Sequence, residues 1–266
     1  LVLQKEEYIN DPNYFRRINI VYPLIFMIKN FVPNLYFPSS RDEAYRLIKN
    51  KNISKLSNPF KGLERKFIKE EIFFRFYQKK KYIPKFKANE TSINFFKNKI
   101  KYNKTKRFIS ITLRKSTFNK QYNSNEESWI KIAYQLKNSG YEVILIRDFE
   151  QYFEENNKSF NYYDEAIFDP QIRLSIYELC ELNLGVSNGP FNSFIFFSDS
   201  NFICFKGNAI KETDFVRRYG VSDKNTDFQL PFFTDKQKIV YEEDHYEIIK
   251  KEINIYFKNN NLKIID

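Results

Sequence analysis

Residues 181–197 read ELNLGVSNGPFNSFIFF, and this stretch decides the fold. Leu182–Val186 is an apolar run of strand length without polar alternation, the pattern of a strand buried on both faces of a parallel sheet. Ser187-Asn188-Gly189-Pro190 follows as a turn. Pro190 suits the first turn of a helix, where its missing N–H costs nothing, and residues 191–197 continue as that helix. Strand, tight turn and helix in this order are part of a βαβ unit.

The same alternation extends in both directions. Upstream, residues 108–113 (FISITL) form a β-branched apolar run, followed by a polar loop over 114–125. The spacing of Trp129, Ile132, Ala133 and Leu136 predicts an amphipathic helix over Glu126–Asn138, ended by Gly140. Glu142–Ile146 (EVILI) is the next strand, residues 166–168 a third and weaker one, and 171–181 a helix. Downstream, Phe202–Phe205 is a strand and 241–257 a helix that packs back on the unit. The pattern predicts an α/β fold: a Rossmann-like parallel sheet with flanking helices over 107–266. Right-handed crossovers gather the loops after each strand on one edge, where ligands bind in open parallel sheets.

Residues 1–106 read differently, as a mainly helical, basic region. Ser40 with Glu43 is a capping-box pattern opening a helix through Ile48. Phe67, Ile68, Ile72, Phe73 and Phe76 stripe a helix over 63–80, which Pro84 stops, and Thr91 or Ser92 is expected to cap another through Ile100. Between residues 41 and 107 there are 21 Lys and Arg against 6 Asp and Glu, although the whole chain carries a net charge of only +11. Such a segment favours an anionic partner: nucleic acid, an acidic membrane surface or a phosphorylated substrate. A solvated helical surface in a Lys-rich protein is the plainer reading.

Composition excludes several chemistries. Cys180 and Cys204 have no metal-ligand spacing and read as small buried thiols in a reducing compartment. The single histidine, His245, rules out a multi-His metal site, and its place in an acidic, helix-like tail argues against a Ser-His-Asp or Cys-His mechanism. No signal peptide is visible, and the apolar run 18–28 is about half the length of a bilayer span. The chain opens on Leu, not Met, so one reading of it is as a fragment of something longer.

Three groups at strand ends can carry chemistry. Arg114-Lys115-Ser116, with Thr117, puts two cations and two hydroxyls after the first strand, suited to a phosphate or diphosphate. Ser187, Asn188, Gly189 and Pro190, with Ser193 one turn on, form a turn whose helix-start amides favour an anion. Arg147 and Asp148 follow the second strand: Asp148 either caps a helix or pairs with Arg147, or else touches a ribose or sugar hydroxyl. Neither a G-x-G-x-x-G nor a P-loop sequence is present, so NAD and ATP readings lack a motif.

ISITLRKS at 109–116, Asn123-Ser124-Asn125 before a Trp-bearing helix, GYEVILIRD at 140–148 and the quoted 181–197 stretch together resemble the nucleotide-sugar-binding half of a GT-B glycosyltransferase. They are similar to the heptosyltransferase-like and fucosyltransferase-like enzymes of bacterial surface polysaccharide synthesis, over roughly residues 107–206. The resemblance implies a metal-independent transferase with no cofactor besides its nucleotide-sugar substrate. It places Arg114 and Ser187–Pro190 against the donor diphosphate. It also implies a glycan or lipid-linked acceptor, with residues 1–106 as a remnant of the acceptor half. The expected location is cytoplasmic, peripheral at the anionic inner membrane face. Ser187-Asn188 stand where heptosyltransferases carry an Asp and a His nearby, and the His-x-Arg of O-fucosyltransferases is missing after the first strand, so the resemblance names neither sugar nor catalytic base. Two other readings stay open: a nucleic-acid or anion-binding protein using residues 41–107, without a recognised nucleic-acid motif, and a non-catalytic Rossmann-like partner in a larger assembly.

Overall fold

The computed structural model describes residues 80–83, 85–117, 120–152, 159–206 and 228–265, with Arg46, Tyr77 and Gln78 besides. By contacts the chain divides into two compact units, Leu1–Ile68 with Phe168–Pro170, and Lys69–Ile167 with Gln171–Asp266. Arg46, Tyr77, Gln78 and Lys80 are helical; the remainder of the helices expected over 40–48 and 63–80, and the apolar run 18–28, lie outside the described residues.

Six parallel strands form one sheet in the order β3-β2-β1-β4-β5-β6. They are β1 (Phe108–Thr112), β2 (Glu142–Ile146), β3 (Asn161–Tyr162), β4 (Leu182–Val186), β5 (Phe202–Phe205) and β6 (Gln237–Val240). This is the doubly wound, Rossmann-like order, which reverses direction between β1 and β4. Among the described residues the complete helices are α1 (Glu90–Lys99), α2 (Glu126–Asn138), α3 (Glu165–Phe168), α4 (Pro170–Leu179), α5 (Gly189–Ile195) and α6 (Tyr246–Asn259). Among the described residues no helix is long and apolar enough to cross a membrane.

Every residue of β1, β4 and β5 is buried, as continuous apolar runs require when helices cover both faces. Ile109, Ile111, Leu184, Ile203 and Phe205 face one layer, where Trp129, Ile132 and Leu136 of α2 meet Ile249, Ile253 and Phe257 of α6. Ser110, Thr112, Asn183 and Gly185 face the other, against α4 and α5. Their polar groups are satisfied there: Ser110 Oγ donates to Asn183 Oδ1 at 2.6 Å, and Thr112 Oγ1 lies 3.1 Å from the Tyr177 hydroxyl. Burial pushes the Tyr177 phenol up, so it serves as a neutral hydrogen-bonding group. Both cysteines are buried, and burial likewise pushes the Cys180 thiol up, which keeps it from acting as a nucleophile.

Local signals explain the boundaries. Asn125 caps α2 by accepting the Ser128 N–H, and Gly140 follows its end with φ +93°, a conformation open to glycine. Asn89, not Thr91 or Ser92, caps α1. Residues 166–168 are helical, within α3, rather than a strand; the third strand is the two-residue β3, paired to Ile144 and Leu145. A short apolar run cannot separate helix from strand, and Ala166 and Ile167 are buried either way. β6 was not anticipated, and the last helix begins at Tyr246 rather than 241 because β6 and its exit loop intervene.

At Gly185, a Cβ would stand 2.8 Å from the Thr112 carbonyl oxygen and 3.2 Å from Thr112 Cβ. Backbone cannot yield as a flexible side chain does. Gly185→Ala is therefore expected to destabilise the domain by about 1–3 kcal/mol, read as a lowered urea midpoint.

Candidate functional site

The sheet order brings the ends of β1 and β4 side by side, with Thr112 paired to Gly185 as the last rung. Arg114 and Ser187 each lie two residues beyond that rung, so the first and second sequence groups meet at the switch point. The loop leaving β1 closes on itself: the Ser124 N–H donates to the Arg114 carbonyl at 2.9 Å, and the Arg114 N–H to Ser124 Oγ at 2.7 Å. The half-buried Arg114 guanidinium donates to the Tyr122 carbonyl at 3.2 Å and lies 5.6 Å from that ring's centre.

The next backbone donors are spent within the protein. Lys115 N–H reaches Asp148 Oδ2 at 3.3 Å, Ser116 N–H reaches Asn123 Oδ1 at 2.9 Å, and Thr117 N–H reaches Glu150 Oε2 at 2.7 Å. Ser116 Oγ also lies 3.4 Å from the Glu150 carboxylate. A carboxylate at that spot disfavours a phosphate there, so within the Arg114–Thr117 group the two cations, Arg114 and Lys115, are what suits an anion.

Arg147 and Asp148 do not pair with each other. Arg147 is 4% exposed and makes a bidentate bridge to Asp164, at 3.0 and 2.6 Å, with a third bond to the Gln151 carbonyl at 2.9 Å. Asp148 caps the 3₁₀ turn Phe149–Gln151, taking the Phe149 N–H at 2.7 Å while Gln151 Oε1 accepts the Asp148 N–H at 3.1 Å. Both residues tie the end of β2 to its neighbours. Glu178 accepts the Ala88 N–H at 2.6 Å from the far end of α4, at the edge where strands begin.

The turn after β4 offers fewer donors than the sequence suggested. Asn188 Oδ1 takes the Phe191 N–H at 2.8 Å, Pro190 has none to give, and the Ser187 N–H bonds the Phe205 carbonyl at 2.8 Å. That leaves the Asn188 and Gly189 N–H groups, the latter on an exposed residue. Its φ is not positive, and a Cβ built there meets nothing within 4 Å. Neither backbone conformation nor packing demands glycine at 189, although open space beside the turn is what a ligand needs. Ser193 lies in α5; its side chain is outside the described residues.

Beside this turn, towards β5 and β6, lies a cavity of about 310 Å³. Val186 and Phe205 contribute apolar surface and Lys206 a cation; residues 120–125 form one wall and Glu242–His245 the other. Asn125 and His245 are the N-caps of α2 and α6, so both helices begin at the cavity. Asp244 joins the walls: its Oδ2 accepts the Asn125 N–H at 2.7 Å and the Trp129 indole N–H at 2.6 Å. Sequence reasoning missed this loop because it carried the last helix back to 241 and set His245 inside it. The signal was a polar Glu-Glu-Asp-His run between an apolar strand and an amphipathic helix, where a cap belongs.

No protein-family model matches the chain, and no curated protein matches it. Two solved structures are similar in part. One is the ADP-heptose lipopolysaccharide heptosyltransferase II of E. coli, at 11% identity and a TM-score of 0.48, over 67% of this chain and 54% of that one. The other is a glycosyl transferase of family 9 from Veillonella parvula, at 12% identity and a TM-score of 0.43, over 68% of this chain and 47% of that one. The chain spans about half the length of these two proteins.

Removing the Asp244 carboxylate strands two donors, one of them on the fully buried Trp129. Asp244→Ala is expected to lower stability by about 2–4 kcal/mol and to change the emission of the sole tryptophan, both measurable in one urea titration followed by fluorescence.

Proposed function

We propose that this chain supplies the nucleotide-sugar-binding half of a GT-B glycosyltransferase. The reaction moves a sugar from a nucleotide-sugar donor to a saccharide or lipid-linked acceptor in surface polysaccharide synthesis. The observation that carries this reading is the meeting of Arg114 with the Ser187–Pro190 turn at the β1–β4 switch point, beside an open cavity. In a doubly wound sheet that is where a phosphorylated ligand lies.

The chemistry asked of these residues is electrostatic. Breaking the bond between sugar and diphosphate leaves negative charge on the departing phosphate oxygens. Arg114 and Lys115, with the Gly189 N–H, are the groups to meet it, held in advance by the closed loop. The reading needs no cofactor besides the donor. The acceptor site and the base that deprotonates the acceptor hydroxyl belong to the other half of such an enzyme. The basic stretch 41–107 would face an anionic inner-membrane surface or an acidic glycan. That same stretch favours the second reading, a nucleic-acid-binding protein, whose affinity would fall steeply with salt.

Ligand-observed NMR with a panel of nucleotide-sugars and bare nucleoside diphosphates tests the choice. One nucleotide class is expected to bind, and Arg114→Ala to weaken it by about tenfold or more, the loss of a charge-assisted contact. Gly189→Ala should melt like wild type, since its Cβ meets nothing, yet bind more weakly. If no nucleotide binds at millimolar concentration while single- or double-stranded nucleic acid does, the glycosyltransferase reading fails.

A further inference from the structure

Asn188-Gly189 is the sole Asn-Gly pair of the chain. The backbone nitrogen that follows an asparagine can attack that residue's own side-chain amide carbon. It does so when its N–H is not held elsewhere and no side chain crowds the approach. Both conditions hold at this turn. The Gly189 N–H has no hydrogen-bond partner among the described residues, the residue is exposed, and a Cβ built on it meets nothing within 4 Å. Two Asn-Ser pairs, Asn123-Ser124 and Asn138-Ser139, lack both. The Ser124 N–H is held by the Arg114 carbonyl at 2.9 Å, and the Ser139 N–H by the Gln135 carbonyl at 2.9 Å.

The Asn188 amide is held by two bonds of unequal quality. Its Oδ1 accepts the Phe191 N–H at 2.8 Å, whereas its Nδ2 reaches the Val186 carbonyl only at 3.4 Å, where little is gained. The nitrogen that would leave is the loosely held one. The Asn188 backbone is extended, with φ −141° and ψ 168°, so the side chain must quit the cap and swing onto the Gly189 nitrogen before a ring can close. That opening costs the cap bond but not the helix. Phe191 is fully buried against Gly185 and Tyr177, and it anchors α5 from below. The cap therefore sets the pace of the reaction through local opening and does not forbid it.

We infer that Asn188-Gly189 is a site of spontaneous deamidation, which converts a turn that receives anions into one that rejects them. The Gly189 nitrogen bonds to Asn188 Cγ and gives up its proton to water; the Cγ–Nδ2 bond breaks and ammonia leaves. Water then opens the cyclic imide at either carbonyl, leaving an aspartate or an isoaspartate at position 188. An aspartate caps a helix as well as asparagine does, so α5 persists while a full negative charge enters the turn. An isoaspartate carries the same charge and also routes the main chain through Cβ and Cγ, which lengthens the turn. Either product opposes a phosphate at close range. The inference rests on the glycosyltransferase reading only in naming what is lost; the covalent change is independent of it.

The full chain is aged in mildly alkaline buffer and sampled over time, with conversion mapped by peptide mass spectrometry and isoaspartate located by enzymatic methyl labelling. Position 188 is expected to convert about tenfold faster than Asn123 or Asn138 in the same sample, and Gly189→Ala to slow it by about tenfold. Nucleoside diphosphate binding, followed by ligand-observed NMR, should fall in step with conversion, and fresh Asn188→Asp should bind as weakly as the aged aspartate form. Asn188→Ser keeps a capping side chain without an amide, so whatever affinity it starts with should survive ageing. Conversion at 188 no faster than at Asn123 and Asn138, an unchanged rate in Gly189→Ala, or undiminished diphosphate binding after conversion overturns the inference. Should position 188 convert as expected in a protein that binds no nucleotide even when fresh, the modification site stands and the glycosyltransferase reading falls.

Discussion

β1 and β4 approach each other so closely at Thr112 and Gly185 that a single methyl group would not fit between them. The missing side chain lets the Phe191 ring settle against that rung and meet Tyr177 edge-on, with centroids 5.7 Å apart. Tyr177 in turn bonds Thr112, so the start of α5, the last turn of α4 and the end of β1 are locked to one another. Both loops of the candidate site leave the sheet from this locked rung. Their relative placement is thus a property of the core, not of the loops.

Above the core, carboxylates do the fastening. Asp148 joins the end of β2 to the loop after β1, Glu150 holds Thr117, and Asp244 joins the loop after β6 to the start of α2. Each accepts backbone N–H groups that would otherwise be unsatisfied. All three carboxylates thus bond the backbone of the loop that carries Arg114 and Lys115. Trp129 transmits the same order downward, since its indole N–H ends at Asp244 while its ring packs against Phe205 at 5.5 Å.

Much of this was legible in the chain. The strands at 142–146, 182–186 and 202–205 and the helix at 126–138 stand where the apolar runs put them, because buried parallel strands and amphipathic helices leave distinct periods. The boundaries that slipped were those without a period: a two-residue edge strand, a four-residue helix, and β6. The candidate site was legible by position only. Arg114 and the 187–190 turn follow from the rule that loops after parallel strands share an edge. Which donors remain open at the turn depended on whether Asn188 turned back to cap α5, and a side-chain rotamer leaves no mark in the sequence.

The sequence by itself therefore determined the α/β class, the main strands and the two loops that meet at the switch point, because burial on both faces and helix amphipathicity are local patterns. Only the tertiary structure decided that Arg147 belongs to Asp164, that Asp148 serves as a cap, and that Glu242–His245 comes round to face residues 120–125 across a cavity. Those pairings join residues far apart in the chain or choose among several equally near partners. The last of them is set by the packing of β6 and α6 onto the sheet, an interaction that no short stretch of sequence encodes.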